Sequence, residues 1–198
     1  MAINDPALWR ETVQGLRFYS RLPIPPMPGE TDPYGLPDLG RLARAVPLVG
    51  LVLGGLAGLV LILGAALWPP LVAAIFAVGA AIVMTGAFHE DGLADTADSF
   101  GGMTAARRLE IMKDSRIGTF GASALILGLG LRVTALAGLI GAVGAGRTAL
   151  ALAAAGAVSR TAALYLPVSL AAVRTDGAGR AAGVPTAETW TQACLISA

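Results

Sequence analysis

The chain has 198 residues, of which 55% are hydrophobic and only 14% charged, with a formal net charge of +1. A soluble domain carries about a quarter charged residues, so this composition excludes an ordinary water-soluble fold and points to an integral membrane protein. Near-neutrality excludes nucleic acid as a partner, since that needs a basic stripe, and a lone cysteine, Cys194, excludes an internal disulfide.

The first twenty residues have no central apolar run and mix acids with arginines, so no cleavable signal peptide is expected. They predict an amphipathic helix with Asn4 or Asp5 as its cap and Pro6 in the first turn. At about 100° per residue, Leu8, Trp9, Val13, Leu16 and Tyr19 share one face, and Arg10, Gln14, Arg17 and Arg21 share another. Such a helix either lies among lipid headgroups or packs on the protein's own bundle, and the pattern leaves both open. Prolines 23, 25, 26 and 28 then remove donors and stop it.

Apolar runs long enough to cross roughly 30 Å of hydrocarbon follow, the first of them, 46–67, without a charge. Spans are expected at about 46–67, 71–88, 118–143 and 148–172, with a further one opening at 190–198. Residues 68–70, Trp-Pro-Pro, form a tight turn between the first two. With residues 1–45 as an amphipathic helix and a Pro-rich loop, the whole of 1–198 reads as one all-α, polytopic membrane helix bundle. The 26 glycines suit it, because small residues let helix backbones approach in lipid. Eleven of the 14 basic residues and all 13 acids fall in 1–45, 89–117 and 174–189, which an up-down threading puts on one side. The positive-inside tendency makes that side cytosolic, and with it the catalytic loop or helix.

The polar stretch FHEDGLADTADSFGG, 88–102, is the densest chemistry. On a helix Asp91, Asp95 and Asp98 stand at i, i+4 and i+7 and share a face. Like charges so placed repel, and near a low-dielectric boundary they need a cation. Oxygen-only ligands suit Mg2+, which takes one or two carboxylates plus substrate phosphates. Asp91, Asp95 and Asp98 are therefore candidate metal ligands, with Glu90 about 100° off their face as a further one. The bland alternative is a solvated acidic helix start favoured by the macrodipole. His89 reads better as an ordinary hydrogen-bonding residue.

Next comes RRLEIMKDSRIGTFG, 107–121, with Arg107, Arg108, Lys113 and Arg116. These cations either balance the acids through salt bridges or hold phosphate, for which Arg forks and Lys point charges are suited. Asp114, Ser115 and Thr119 add polar groups. Acids for a metal and bases for phosphate suggest Mg2+-assisted phosphoryl transfer. On chemistry alone an ion-conducting or transport site is an equal alternative, because acidic clusters also line cation pathways. A charge inside a span costs at least about 2.5 kcal/mol, so Arg132 and Arg160 each need a partner. Arg132 reads as half of a structural ion pair, whereas for Arg160 anion binding and helix pairing stay open. Arg174, Asp176 and Arg180 follow on the cytosolic side.

The two stretches 88–102 and 107–121 together closely resemble the signature of the cobalamin synthase family, the adenosylcobinamide-GDP ribazoletransferases. LRFYSRLPIP at 16–25, VPLVGLVLG at 46–54 and the segment 159–183 match the same pattern collinearly. The resemblance implies a magnesium-dependent, multi-pass enzyme of the bacterial inner membrane acting late in coenzyme B12 assembly. It joins adenosylcobinamide-GDP to α-ribazole, or to its 5′-phosphate, with release of GMP. It implies Asp91, Asp95 or Asp98 as the base that takes the attacking hydroxyl's proton, and Lys113 and Arg116 as holders of the diphosphate, to which Asp114, Arg160 and Arg174 are added. The acidic register is also similar to that of the CDP-alcohol phosphotransferases, but their Ala-Arg pair after Asp-Gly is replaced here by Leu-Ala. Family members usually continue for one or two more helices, so the chain reads as C-terminally truncated. A homo-oligomer or other corrinoid-assembly enzymes are the expected protein partners. The alternatives are a divalent-cation transporter or channel subunit and a non-catalytic membrane partner of a corrinoid-assembly complex.

Overall fold

A computed structural model of the chain describes residues 5–171 and 183–197, and among them it is helical with no strand. The helices are α1 (Pro6–Tyr19), α2 (Leu39–Leu42), α3 (Val46–Leu67), α4 (Pro70–Thr85), α5 (Phe88–Ser99), α6 (Ala105–Ile111), α7 (Thr119–Val143), α8 (Ala145–Ala163), α9 (Tyr165–Ser169) and α10 (Ala187–Ser197), with a 3-10 turn at Ala43–Ala45. Among the described residues three stretches are long and apolar enough to cross a membrane: Leu39–Leu67, Thr119–Val143 and Ala145–Ser169. The α4–α5 pair passes the same test jointly but is bent by 90°. The chain divides into two compact units, one of Met1–Leu59 with Ala149–Ala198, the other of Val60–Thr148.

In the first unit, Asp5 caps α1 by accepting the Ala7 N–H at 2.9 Å, and Pro6 occupies the first turn. Leu8, Val13 and Leu16 are buried, and Leu16 packs with Val49 and Leu53 of α3. One face of α1 thus packs on α3, the second of the two alternatives left open above. Trp9, expected on the same face, is instead 66% exposed. The polar face grips the Pro-rich loop. Arg10 donates to the Pro28 carbonyl, Gln14 to Glu30, and Arg17 to both Glu30 oxygens at 2.7 Å and to the Pro33 carbonyl at 2.7 Å.

Helix α3 meets α8 backbone to backbone. A Cβ on Gly54 would lie 2.7 Å from the Leu152 carbonyl oxygen, and one on Gly50 would collide with the Gly156 carbonyl. Gly58 faces Ala149 in the same way. The four-residue spacing of these glycines gives one stripe without side chains, which is how small residues bring membrane helices together. Of residues 190–198, expected to open a further span, those up to Ser197 belong to α10, whose Ala193 is fully buried with Leu42, Ala43, Val46 and Leu164.

In the second unit, Pro69 precedes α4 and Pro70 takes its first turn. The apolar run was expected to continue to residue 88, but α4 stops at Thr85. Gly86 (φ 62°) and Ala87 (φ 58°) are both left-handed, which ends the hydrogen-bond ladder and turns the chain into α5. A left-handed alanine costs about 1–2 kcal/mol, so the corner is held by what it joins. Helix α5 runs antiparallel to the first half of α7: Glu90 reaches Arg132, Leu93 lies against Gly128, and Asp98 reaches Gly118 and Gly121.

Candidate active site at the joint of α5 and α7

The four carboxylates of α5 divide into two pairs. Asp98, in the last turn, accepts the Gly118 N–H on Oδ2 at 2.7 Å and the Gly121 N–H on Oδ1 at 2.8 Å. Gly118 is the N-cap of α7 and offers no side-chain cap of its own, so Asp98 caps α7 from another helix. Orphan N–H groups and the positive end of the macrodipole both favour a carboxylate there. The fit needs glycine: a Cβ on Gly118 would lie 2.5 Å from Asp98 Oδ1, and one on Gly121 would collide with the carboxylate. Glu90, 9% exposed, accepts from Arg132 Nη1 at 2.7 Å through Oε1. The ion pair expected of Arg132 is present, with Glu90 as its partner.

Asp91 and Asp95 are the other pair. Asp91 is exposed and Asp95 half-buried, and neither joins a side-chain hydrogen bond or ion pair among the described residues. Asp95 lies within electrostatic reach of both Asp91 and Asp98, as the shared helix face requires. Among the described residues no three His, Cys, Asp or Glu side chains converge as a metal cage. Two carboxylates one turn apart, with oxygen donors only, nevertheless fit Mg2+, which fills its shell with water and substrate phosphate. His89 is exposed and sets its ring edge-on to Phe88, with centroids 5.6 Å apart.

The basic stretch forms α6 and the loop after it. Thr104 caps α6 by accepting the Arg107 N–H, Arg107 pairs with Glu110 at 2.8 Å, and Arg108 donates to the Gly102 carbonyl. Lys113 and Arg116 lie exposed in the following loop. Asp114 binds the Arg116 guanidinium through both oxygens, at 2.6 Å for the shortest contact. That side-chain bond, with the Arg116 backbone N–H, holds the Asp114 carboxyl at about 2, so it stays ionised at any working pH. Arg107 and Arg108 are thus taken by local contacts. Arg116 keeps a fixed orientation and an 87% exposed side chain.

Arg160 lies on α8 in the first unit, donates to the Gly156 carbonyl and sits within electrostatic reach of Tyr19. Arg174, with Asp176 and Arg180, lies outside the described residues. Two features escaped sequence reasoning. The Gly118 and Gly121 N–H groups carry no chemical label in a sequence, although a glycine pair at the mouth of a span was a signal. The Arg17–Glu30 pair, 7% and 6% exposed, joins residues 13 apart across a proline-rich loop with no periodic pattern to link them.

No solved structure matches the chain. Curated relatives do. An adenosylcobinamide-GDP ribazoletransferase of Azorhizobium caulinodans is 53% identical over 186 residues, 92% of this chain and 69% of the relative. Enzymes of the same name from Xanthobacter autotrophicus and Brucella anthropi are each 48% identical, over 96% and 90% of this chain and 72% and 68% of their own lengths. The family pattern described as CobS, cobalamin-5-phosphate synthase, matches residues 11–198, from within α1 through both carboxylate pairs to the end of the sequence. The chain belongs to the cobalamin-5-phosphate synthase family.

Proposed function

We propose that this chain is a transferase of cobalamin biosynthesis that joins adenosylcobinamide-GDP to α-ribazole or its 5′-phosphate with release of GMP, working at the cytosolic face of the bacterial inner membrane. The family supports the reaction class. The observation that carries the site is that Asp91 and Asp95 stay open on a helix whose other two carboxylates are engaged.

The reaction is an in-line displacement. The ribazole hydroxyl oxygen bonds to the cobinamide-side phosphorus, the bond from that phosphorus to the bridging oxygen breaks, and GMP leaves with the electron pair. The hydroxyl proton passes to one carboxylate of the open pair, Asp91 or Asp95. Bound Mg2+ on Asp91 and Asp95 would neutralise diphosphate charge and stabilise the leaving phosphate. Lys113 and the Asp114-oriented Arg116 hold phosphate oxygens. Arg160 and Arg174 are assigned to the same task from the family pattern alone. Asp98 is assigned to the joint, where it keeps the open pair in register.

The test is incubation of the protein in liposomes with adenosylcobinamide-GDP, α-ribazole and Mg2+, with product and GMP read by mass. Equimolar cobalamin product and GMP are expected, abolished by chelation and by Asp91→Ala. Cation flux with no nucleotide present and no corrinoid product would replace this reading with a transport protein.

A further inference from the structure

The geometry points to Glu90 and Arg132 as a positioning pair for this reaction: their ion pair fixes the start of α5 against the middle of α7, and neither residue ligates metal or substrate. The inference rests on the function proposed above.

Glu90 follows a corner that has no intrinsic reason to hold. Residues 86 and 87 are both left-handed, and Ala87 provides no side-chain cap for α5. The far end of α5 is pinned by Asp98, so the near end needs its own tie. Glu90 is buried, and its Oε1 takes the Arg132 guanidinium at 2.7 Å. Arg132 in turn stands 13 residues into α7, a span in which an unpaired guanidinium is costly. Each residue therefore requires the other. Asp91 is adjacent to Glu90 in sequence, so a rotation of the first turn of α5 would carry Asp91 off the face it shares with Asp95.

One observation competes. Glu90 Oε2 is buried and makes no hydrogen bond, which is what a carboxylate awaiting a cation would show. No group of three acid, histidine or cysteine side chains forms around it among the described residues, however, and a carboxylate already sharing its charge with an arginine makes a poor Mg2+ site. Arg132 has donors beyond Nη1, and a small turn of its side chain makes the contact two-pronged, the geometry guanidinium and carboxylate prefer.

A positioning pair works through complementarity, whereas a metal ligand needs its own negative charge. The experiment compares Glu90→Gln, Arg132→Gln, the Glu90→Gln/Arg132→Gln double variant and the charge swap Glu90→Arg/Arg132→Glu in liposomes. Turnover and thermal midpoint are read together with Mn2+ binding by electron paramagnetic resonance as a probe of the metal site. Each single variant is expected to lose at least tenfold in turnover. The neutral double variant keeps an amide–amide hydrogen bond and no uncompensated charge, so it should fold and recover to within about threefold of the starting protein. Its Mn2+ affinity should stay within about threefold as well. The inference is overturned if Arg132→Gln leaves turnover intact. It is equally overturned if the double variant is as inactive as Glu90→Gln and has lost Mn2+ binding, because Glu90 is then a ligand. Failure of the swap alone is read against the neutral double variant, which decides. If the unsubstituted protein makes no cobalamin product, the proposed function fails instead, and the two failures are distinct.

Discussion

Asp98→Ala isolates the joint between α5 and α7. Two backbone N–H groups of the first turn of α7 donate to this carboxylate, at 2.7 and 2.8 Å. Hydrogen bonds to a charged acceptor contribute about 1.5–3 kcal/mol each, but the Gly118 amide is exposed and regains water on substitution. The Gly121 amide is part-buried and regains less. Loss of one full bond and part of a cap gives about 2–3 kcal/mol. At roughly 2–4 °C per kcal/mol for a chain of this size, the thermal midpoint should fall by about 4–12 °C. Gly121→Ala strikes the same contact from the other side, since its Cβ would collide with the Asp98 carboxylate and lie 3.0 Å from the Ala94 carbonyl. The Asp98→Ala/Gly121→Ala double variant should therefore cost less than the sum of the two, because removing the carboxylate makes room for the methyl group. Midpoints followed by tryptophan fluorescence in detergent measure all three. If Asp98→Ala moved the midpoint by less than about 1 °C while abolishing turnover, Asp98 would be chemistry rather than anchor, and the division of the four carboxylates would be wrong.

Arg17→Ala leaves Glu30 buried without its main partner, which costs about 3–5 kcal/mol, while Arg17→Met with Glu30→Leu should be near neutral by the same midpoint assay. Burial pushes the Glu30 carboxyl up, but the Met27 N–H, Arg17 and Gln14 outweigh it and leave its pKa below the ordinary 4.5. The stabilisation it provides is thus complete above the unfolded value and lost as pH falls through the lower folded one. The midpoint should drop on acidification below pH ~4.5, and Glu30→Gln should remove that part of the slope. On the α3 stripe, Gly54→Val should disrupt packing on α8 and prevent recovery of folded protein. Gly55→Ala, where a Cβ meets nothing within 4 Å, should be silent by gel filtration and midpoint.

The long helices were legible because apolar runs of this length have few other uses, and 46–67 coincides with α3. The end of α4 was not legible: Val83, Met84 and Phe88 continue the apolar run, and only the left-handed backbone at 86–87 breaks it. The α5 register was readable from Asp91, Asp95 and Asp98, since helical spacing fixes a shared face. What each carboxylate does was hidden, because Asp98 is defined by amides 20 and 23 residues away and Glu90 by an arginine 42 residues away. Periodicity reports faces within one helix and is blind to what another helix brings to them. Arg132 was the exception, since a charge within a span must find a partner even when the sequence does not say which.

Counting charge across the joint gives a last expectation. Four carboxylates on twelve residues of α5 would carry four negative charges. Arg132 offsets one, and the α7 N-terminus, about half a positive charge plus two donated N–H bonds, accommodates another. Two negative charges remain, both on Asp91 and Asp95, which matches one divalent cation. The protein should accordingly bind one Mn2+ per chain in the absence of nucleotide, with Asp91→Asn and Asp95→Asn each weakening it by tenfold or more. Asp98→Asn should weaken it less, because that side chain acts through the joint. Two ions bound with similar affinity, or a loss on Asp98→Asn as large as on Asp91→Asn, would show that the α7 N-terminus does not hold the Asp98 charge and that all three aspartates serve the metal.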